Sequence, residues 1–414
     1  MAYSLSEKYA GSPMRTENGM SDDFTRLKRI NFINTNRCNL RCVYCPQGSH
    51  PDEYHADLTP EFFEEIFAFI LDHKLEEAGF GYYGELTMID DWWKPIRRIL
   101  DAGVKAIATT NGSTLLSPEE VATFARFKYI EWSIDTHDVE ILKKVRKKVD
   151  VRTIVHNFHL VRAYCLLHDL PLPELAWTGV LSINVADTLP EFVAYASSCG
   201  VKTLHFNEVG IYDGAVARGL NIVDQEGEVF ERAASQVEQA VRLAERYGIA
   251  MDLAEMPRIQ AKREAVRRGE SFGLPLKRHS TPTADCYIHN EAAILPEGYT
   301  RACASPWEEF YLDPKGQVFA CCTRGEVMGI AKTKAEIEGV LKNEKYQKLR
   351  HSLKTGVDLD SACANCLIRA AVPVEKPERK SAGTARWWRR LKIRNGGDDV
   401  ETRSKKAAAP ATVE

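Results

Sequence analysis

A chain of 414 residues with a formal net charge of −3 is long enough for two domains plus tails, and its near balance of charge argues against a general nucleic-acid binder. Eleven cysteines, no apolar N-terminal signal region and no long apolar run argue against a disulfide framework or a membrane span. A reduced, cytoplasmic compartment is the expectation.

In chain order, residues 1–27 read as a polar, mobile lead-in. Residues 29–33 read as a strand that feeds the loop Asn36-Arg37-Cys38-Asn39-Leu40-Arg41-Cys42-Val43-Tyr44-Cys45-Pro46. Thr59 and Pro60 then mark a helix start, with Phe62, Ile66, Phe69 and Ile70 at helical spacing. Strands are expected at 79–83, 104–109, 129–134, 175–183 and 201–209. Helices are expected at 92–101, 117–127, 154–168, 226–247 and 258–268, and Thr188-Leu189-Pro190-Glu191 resembles a capped helix start. Strands alternating with helices in six units imply a parallel sheet with right-handed crossovers. Periodicity alone allows a barrel or a doubly wound sheet.

A loop rich in Gly, Pro, Ser and Thr at 273–284 marks a boundary, so the units expected are 1–27, 28–272, 273–374 and a basic tail at 375–414. Pro314 to Gly316 reads as a hairpin turn, and 334–354 as a helix. The tail carries Arg386-Trp387-Trp388-Arg389-Arg390 in a Lys/Arg/Ala/Pro-rich run, which reads as solvated and disordered without membrane contact.

Two cysteine sets carry the chemistry. Cys38, Cys42 and Cys45 follow C-x3-C-x2-C, which lets one loop turn three thiolates toward one point. Three ligands leave one iron of a four-iron cube open to a substrate or cosubstrate. A buried apolar face or a zinc knuckle completed by His50 are the other readings. Cys303, Cys321, Cys363 and Cys366 form the second set, in which two thiolates flank a hairpin and two come from a terminal loop. They suit a fully ligated cluster or a four-cysteine zinc site, and Cys322 adjoins Cys321 as an alternative ligand.

The first motif, with aromatic Tyr44 before its third cysteine, resembles the radical S-adenosylmethionine (radical SAM) superfamily, and the resemblance covers about residues 29–366. It implies a partial (β/α)6 TIM-like barrel, an α/β fold whose strand C-terminal ends carry the reactive groups. The second cysteine set resembles the small C-terminal α+β auxiliary-cluster extension, in the one-cluster Twitch form rather than the longer SPASM form. Implied cofactors are a SAM-binding [4Fe-4S] cluster, an auxiliary [4Fe-4S] cluster and SAM, and the implied partner is a flavodoxin- or ferredoxin-like reductant. Tyr44 is expected near the adenine. Gly84 and Glu85 match the Gly-Gly-Glu element that receives the SAM amino group, with Tyr83 replacing the first glycine. Ser133 and Asn184, at the ends of strands four and five, are expected to contact SAM, while Asp135 could face the substrate. His205 and Glu208, on strand six, are candidates for substrate contact or proton transfer.

The resemblance implies reductive cleavage of SAM to a 5′-deoxyadenosyl radical, which abstracts hydrogen from the substrate. The expected reaction is dehydrogenation or epimerisation of a polar natural-product or sugar-like molecule. Epimerisation needs a hydrogen-atom donor, for which Cys286, Cys199 and Cys165 are the unassigned thiols. The alternatives are modification of a ribosomally made peptide, and a non-catalytic iron-sulfur or zinc protein.

Overall fold

Parallel strands in sequence order make the body of the sheet: β1 (Arg29–Phe32), β2 (Glu77–Phe80), β3 (Lys105–Thr110), β4 (Tyr129–Ser133), β5 (Glu174–Leu181), β6 (Thr203–Glu208) and β7 (Ala250–Leu253). The structure, a computed structural model, describes residues 26–45, 47, 55–82, 84–209, 219–270, 272, 298–322, 326–364, 366 and 371–374. The described residues belong to one unit that ends at Val374, and the tail from Glu375 lies outside them.

The six expected strands are all present, and β7 follows them. The sequence hides β7 because four residues directly after a long helix carry no readable alternation. Further on come β8 (Tyr299–Arg301), β9 (Glu309–Leu312), β10 (Gln317–Phe319), β11 (Gly329–Ile330) and β12 (Ala371–Pro373). The expected hairpin is there, since β9 and β10 pair antiparallel around Pro314 to Gly316. Its first strand also pairs in parallel with β1, so the sheet runs β11-β10-β9-β1-β2-β3-β4-β5-β6-β7. Among the described residues β7 and β11 do not pair with each other, which makes the barrel partial.

Strand periodicity of two separates the faces. One face carries Ile30, Phe32, Phe80, Ile130, Trp132, Trp177, Leu204 and Phe206, all buried against the helices. Burying each such side chain contributes roughly 1.5–3 kcal/mol. Trp132 and Trp177 meet Phe158 of helix Val151–Leu167 edge to face, at 6.3 and 5.6 Å between centroids. The opposite, inner face is polar: Asn31, Thr109, Glu131, Thr178 and His205 line it, and helical packing there is replaced by hydrogen bonds.

Local caps set the helix ends. Thr59 accepts from the Phe62 N–H at the start of Pro60–Asp72, and Ser117 with Glu120 forms a capping box before Pro118–Phe124. Two departures from the sequence reading have cap chemistry behind them. Helix Val139–Arg146 was not expected; Asp138 caps it by taking the Glu140 and Ile141 N–H groups at 2.9 Å. The single helix expected over 334–354 is two, Lys334–Leu341 and Glu344–Thr355, because Asn343 Oδ1 accepts the Tyr346 N–H at 3.0 Å and starts the second. Thr188 precedes helix Leu189–Ser198 without capping it, and its hydroxyl meets Thr136 instead.

Candidate active site

The first cysteine loop leaves the C-terminal end of β1, where a barrel presents its reactive groups. The residues between the cysteines build its turns. Arg37 grips Asp57 with two bonds of 2.9 and 2.7 Å, and Arg41 donates to the carbonyls of Cys38 and Leu40 at 2.6 and 2.8 Å. Asn111, beyond β3, donates to Asn39 Oδ1 at 2.8 Å and to the Cys38 sulfur at 3.7 Å, which also receives the Leu40 N–H at 3.4 Å. Leu40 anchors the loop in the core.

Gly84 and Glu85 lie against this loop. Gly84 has φ +86°, and a Cβ there would collide with the carbonyl oxygens of Thr35 and Arg37. Glycine permits such a close backbone approach, and the backbone that approaches here is the protein's own. The Glu85 N–H donates to Arg37 O at 2.8 Å. The Glu85 carboxylate is buried: Oε1 takes the Thr110 hydroxyl at 2.7 Å and the Thr87 hydroxyl and N–H at 3.0 and 3.2 Å, and Oε2 takes the Asn111 N–H at 2.7 Å. Burial raises its pKa against these four donors. Glu85 therefore ties the ends of β2 and β3 together, and Oε2, with one donor, keeps acceptor capacity.

Tyr44 is fixed from the other side. Its hydroxyl donates to Asp135 Oδ2 at 2.7 Å, and Asp135 makes a bidentate pair with Arg146 at 2.8 and 2.8 Å while Oδ1 also takes the Val180 N–H at 2.8 Å. Asp135 is 1% exposed, so it holds the loop, β5 and helix Val139–Arg146 together and does not face a substrate. The bond from Val43 N–H to Val145 O at 2.9 Å repeats this tether. Neither Arg146 nor its helix was signalled by any sequence motif.

Other expected residues divide. Ser133 ends β4 on the inner face in register with Thr178, half-buried. Asn184 is exposed in the short helix Ile183–Ala186. Ser182, between β5 and that helix, has a buried hydroxyl with no partner among the described residues. His205 is on the inner face, where Nε2 lies 3.1 Å from the Tyr129 hydroxyl and 4.0 Å from Glu131. Glu131 accepts from Tyr129 at 2.7 Å and Thr109 at 3.1 Å, with its pKa raised by burial. Glu208, three residues from His205 on β6, has the opposite strand parity and pairs with Arg258 at 2.6 Å. Cys165 and Cys199 are buried in the helical layer, and Cys286 lies outside the described residues.

The second cysteine set surrounds Arg301 and the end of β10. Arg301, at the end of β8, donates to the carbonyls of Cys363 and Ala364 at 3.3 and 2.6 Å, which fixes the Cys363-to-Cys366 turn. The Cys363 N–H is held by Asp360 Oδ1 at 2.9 Å. Cys303 is tied to Arg301 through its N–H at 2.8 Å, and Cys321 and Cys322 follow β10. Cys322 interacts electrostatically with Cys321 and Cys366.

The donor chemistry fits two clusters. In the first loop burial pushes Cys38 up to about 11, aided by Glu85 and Cys45, and Cys42 up to about 12, against the pull of Arg146 and aided by Cys45 and Cys38. Such thiols become thiolates when a cationic centre replaces their protons. Among the described residues no three Cys, His, Asp or Glu side chains converge on a single-ion position. A zinc ion needs its sulfurs at about 2.3 Å, whereas a cube offers each thiolate a separate iron. The unpartnered Ser182 hydroxyl at the same mouth suits a bound organic cofactor.

Comparison with known proteins agrees. Residues 32–166 match the radical SAM superfamily, and residues 303–367 match the iron-sulfur cluster-binding domain called SPASM. The chain thus carries a radical SAM domain followed by a C-terminal SPASM/Twitch-like iron-sulfur domain. The two domains imply a SAM-binding [4Fe-4S] cluster, an auxiliary cluster and SAM as its cofactors. It is 27% identical over 216 residues to a probable GTP 3',8-cyclase of Methanocaldococcus jannaschii, covering 52% of this chain and 70% of that one. It is 28% identical over 232 residues to the GTP 3',8-cyclase of Thermodesulfovibrio yellowstonii, covering 55% and 58%. The fold is similar to Streptococcus suis SuiB bound to the precursor peptide SuiA, at TM-score 0.55 and 12% identity over 84% of this chain and 71% of that chain. It is also similar to anSMEcpe with bound AdoMet, at 0.52 and 14% over 77% and 82%.

Proposed function

We propose that this enzyme removes hydrogen from a polar, sugar-like small molecule held against the inner face of the barrel, in a net two-electron dehydrogenation. The observation that carries the reading is the polar inner wall itself, Asn31, Thr109, Tyr129, Glu131, Thr178 and His205, joined through β9 to the second cysteine set. These groups bond to one another, Thr109 and Tyr129 with Glu131 and His205 with Tyr129, which keeps the wall polar and suits a substrate that can add hydrogen bonds to it. The relatives named GTP cyclases act on a polar, ribose-bearing molecule, which supports the same class.

Cys38, Cys42 and Cys45 would hold the first cluster; Tyr44, Gly84, Glu85, Ser133 and Asn184 are the proposed SAM contacts, with Ser182 added from its unpartnered hydroxyl. Loaded there, cluster and SAM supply hydrogen-atom abstraction. Cys303, Cys321, Cys363 and Cys366 would hold the auxiliary cluster, a nearby electron acceptor. His205 is the proposed proton acceptor, a role supported by its contact with Tyr129 and Glu131 on the inner face. Of the three unassigned thiols, Cys165 and Cys199 sit behind the sheet, away from the inner face, which favours dehydrogenation; Cys286, which lies outside the described residues, is the thiol that epimerisation would use. An external flavodoxin- or ferredoxin-like protein would supply the electrons.

The test is anaerobic reconstitution with SAM and dithionite, followed by incubation with panels of sugars, nucleotides and short peptides. The expected product is lighter than its small-molecule substrate by two hydrogens, with 5′-deoxyadenosine formed in proportion. Turnover of peptides alone would overturn the substrate class.

A further inference from the structure

Strand β7, hidden in the sequence, brings one further carboxylate to the inner wall. In the parallel pairing of β6 with β7, Asp252 stands in register with His205, so the two side chains share a face. Leu253 takes the opposite parity and belongs to the helical core. The same row continues through Thr178 of β5 to Ser133 of β4, the proposed SAM contact. Three strand spacings, at most about 14 Å along the sheet, separate Ser133 from Asp252. A ring-bearing small molecule can span that row with one end at the cofactor and the other at the carboxylate.

Asp252 is half-buried, and burial raises its pKa. Other carboxylates along the sheet are already claimed. Glu131 accepts from Tyr129 and Thr109, Glu309 pairs with Asn31 and Arg29, Glu77 with Arg29 and Lys128, and Glu208 with Arg258. Among the described residues no lysine, arginine or histidine pairs with Asp252. The inner positions of β4, β5, β6 and β7 hold no lysine or arginine at all. This stretch of wall is therefore negative and has no counter-ion of its own.

We propose that Asp252 is a specificity-determining residue that binds an ammonium group of the substrate, so that the sugar-like molecule is an amine. A carboxylate half-removed from water is stabilised most by a positive charge that donates a hydrogen bond to it. With the ammonium at Asp252, the rest of the molecule extends along the row toward His205, Thr178 and the cofactor. The inference rests on the proposed dehydrogenation of a polar small molecule at the inner wall, and names its substrate class.

The experiment gives the full chain, reconstituted anaerobically with SAM and dithionite, matched sets of sugars, cyclitols and nucleosides: each amine, its N-acetyl derivative and its hydroxyl analogue. The expected substrate is an amine, with the N-acetyl form a poor one. Asp252→Asn should lower kcat/KM for it roughly 10- to 100-fold, mostly through KM, as one charge-assisted hydrogen bond is lost. Asp252→Glu, which keeps the charge, should recover part of the loss. Denaturant midpoints without substrate add a readout that a merely structural carboxylate would not give. A carboxyl with a raised pKa loses stability as pH rises through its folded value. Asp252→Asn should therefore exceed the parent's midpoint at about pH 8, and by less at about pH 4. Preferred turnover of a hydroxyl analogue, unaltered by Asp252→Asn, overturns the proposal and leaves dehydrogenation of a polar small molecule standing. Turnover of peptides alone removes that reading, and this one with it. If no compound turns over, an Asp252→Asn midpoint at or below the parent's at pH 8 overturns the proposal, and a higher one supports it.

Discussion

Replacing Asp135 with Asn tests whether the buried ion pair behind the first cysteine loop does what its geometry says. In the folded chain the pair is closed to solvent, with side-chain exposures of 7% for Arg146 and 0% for Asp135. Asp135 takes two bonds from Arg146, one from Tyr44 and one from the Val180 N–H. Asn preserves the shape and one acceptor but leaves the guanidinium as an uncompensated buried charge, which costs about 3–5 kcal/mol. Substituting both partners, Asp135→Leu with Arg146→Met, removes the charge yet orphans the Tyr44 hydroxyl and the Val180 N–H, at about 1–3 kcal/mol each. The double variant should therefore recover only part of the loss. Anaerobic guanidinium denaturation of all three variants and the parent measures this directly. Because Tyr44 is adjacent to Cys45, Asp135→Asn should also release iron from the first cluster faster on dilution. A single variant within about 1 kcal/mol of the parent, on the scale of an exposed pair, would refute the tethering argument.

Three further outcomes are expected. Gly84→Ala forces a side chain into the carbonyls of Thr35 and Arg37 at φ +86°, so it should abolish SAM binding, read by calorimetry, while the auxiliary cluster's spectrum persists. Burial, with Glu208 nearby, raises Glu255 from 4.5 to about 8. A raised carboxyl pKa gives stability that is complete below the unfolded value and lost as pH rises through the folded value. Between pH 5 and 9 the parent should thus lose at most about 5 kcal/mol relative to Glu255→Gln, as denaturant midpoints at each pH will show. Iron should fall from about eight to about four per chain when Cys38, Cys42 and Cys45 all become Ala, with 5′-deoxyadenosine formation lost; undiminished SAM cleavage would sink the assignment of that loop.

Part of this molecule was legible residue by residue. Thr59 and the Ser117/Glu120 pair announce helix starts because a cap needs only local chemistry, and both are observed as read. The cysteine spacing likewise identifies a loop that can gather thiolates, since the loop's own length sets their reach. At Asp135 and Glu208 the sequence shows a carboxylate at a strand end but not its cation, and a strand-end carboxylate is open to a ligand only as far as no neighbouring cation claims it. Arg146 and Arg258 come from helices that pack there only in the folded chain.

The sequence alone determined the alternation of six strands with helices, the caps at Thr59 and Ser117, and both cysteine sets, all of which depend on neighbours within a few residues. Tertiary structure alone decided that β9 joins β1, that Glu85 is enclosed by Thr87, Thr110 and Asn111, and that Tyr82 meets Tyr311. Such partners lie tens to hundreds of residues apart along the chain. Their meeting is fixed by the order of strands in the sheet, and no local periodicity encodes that order.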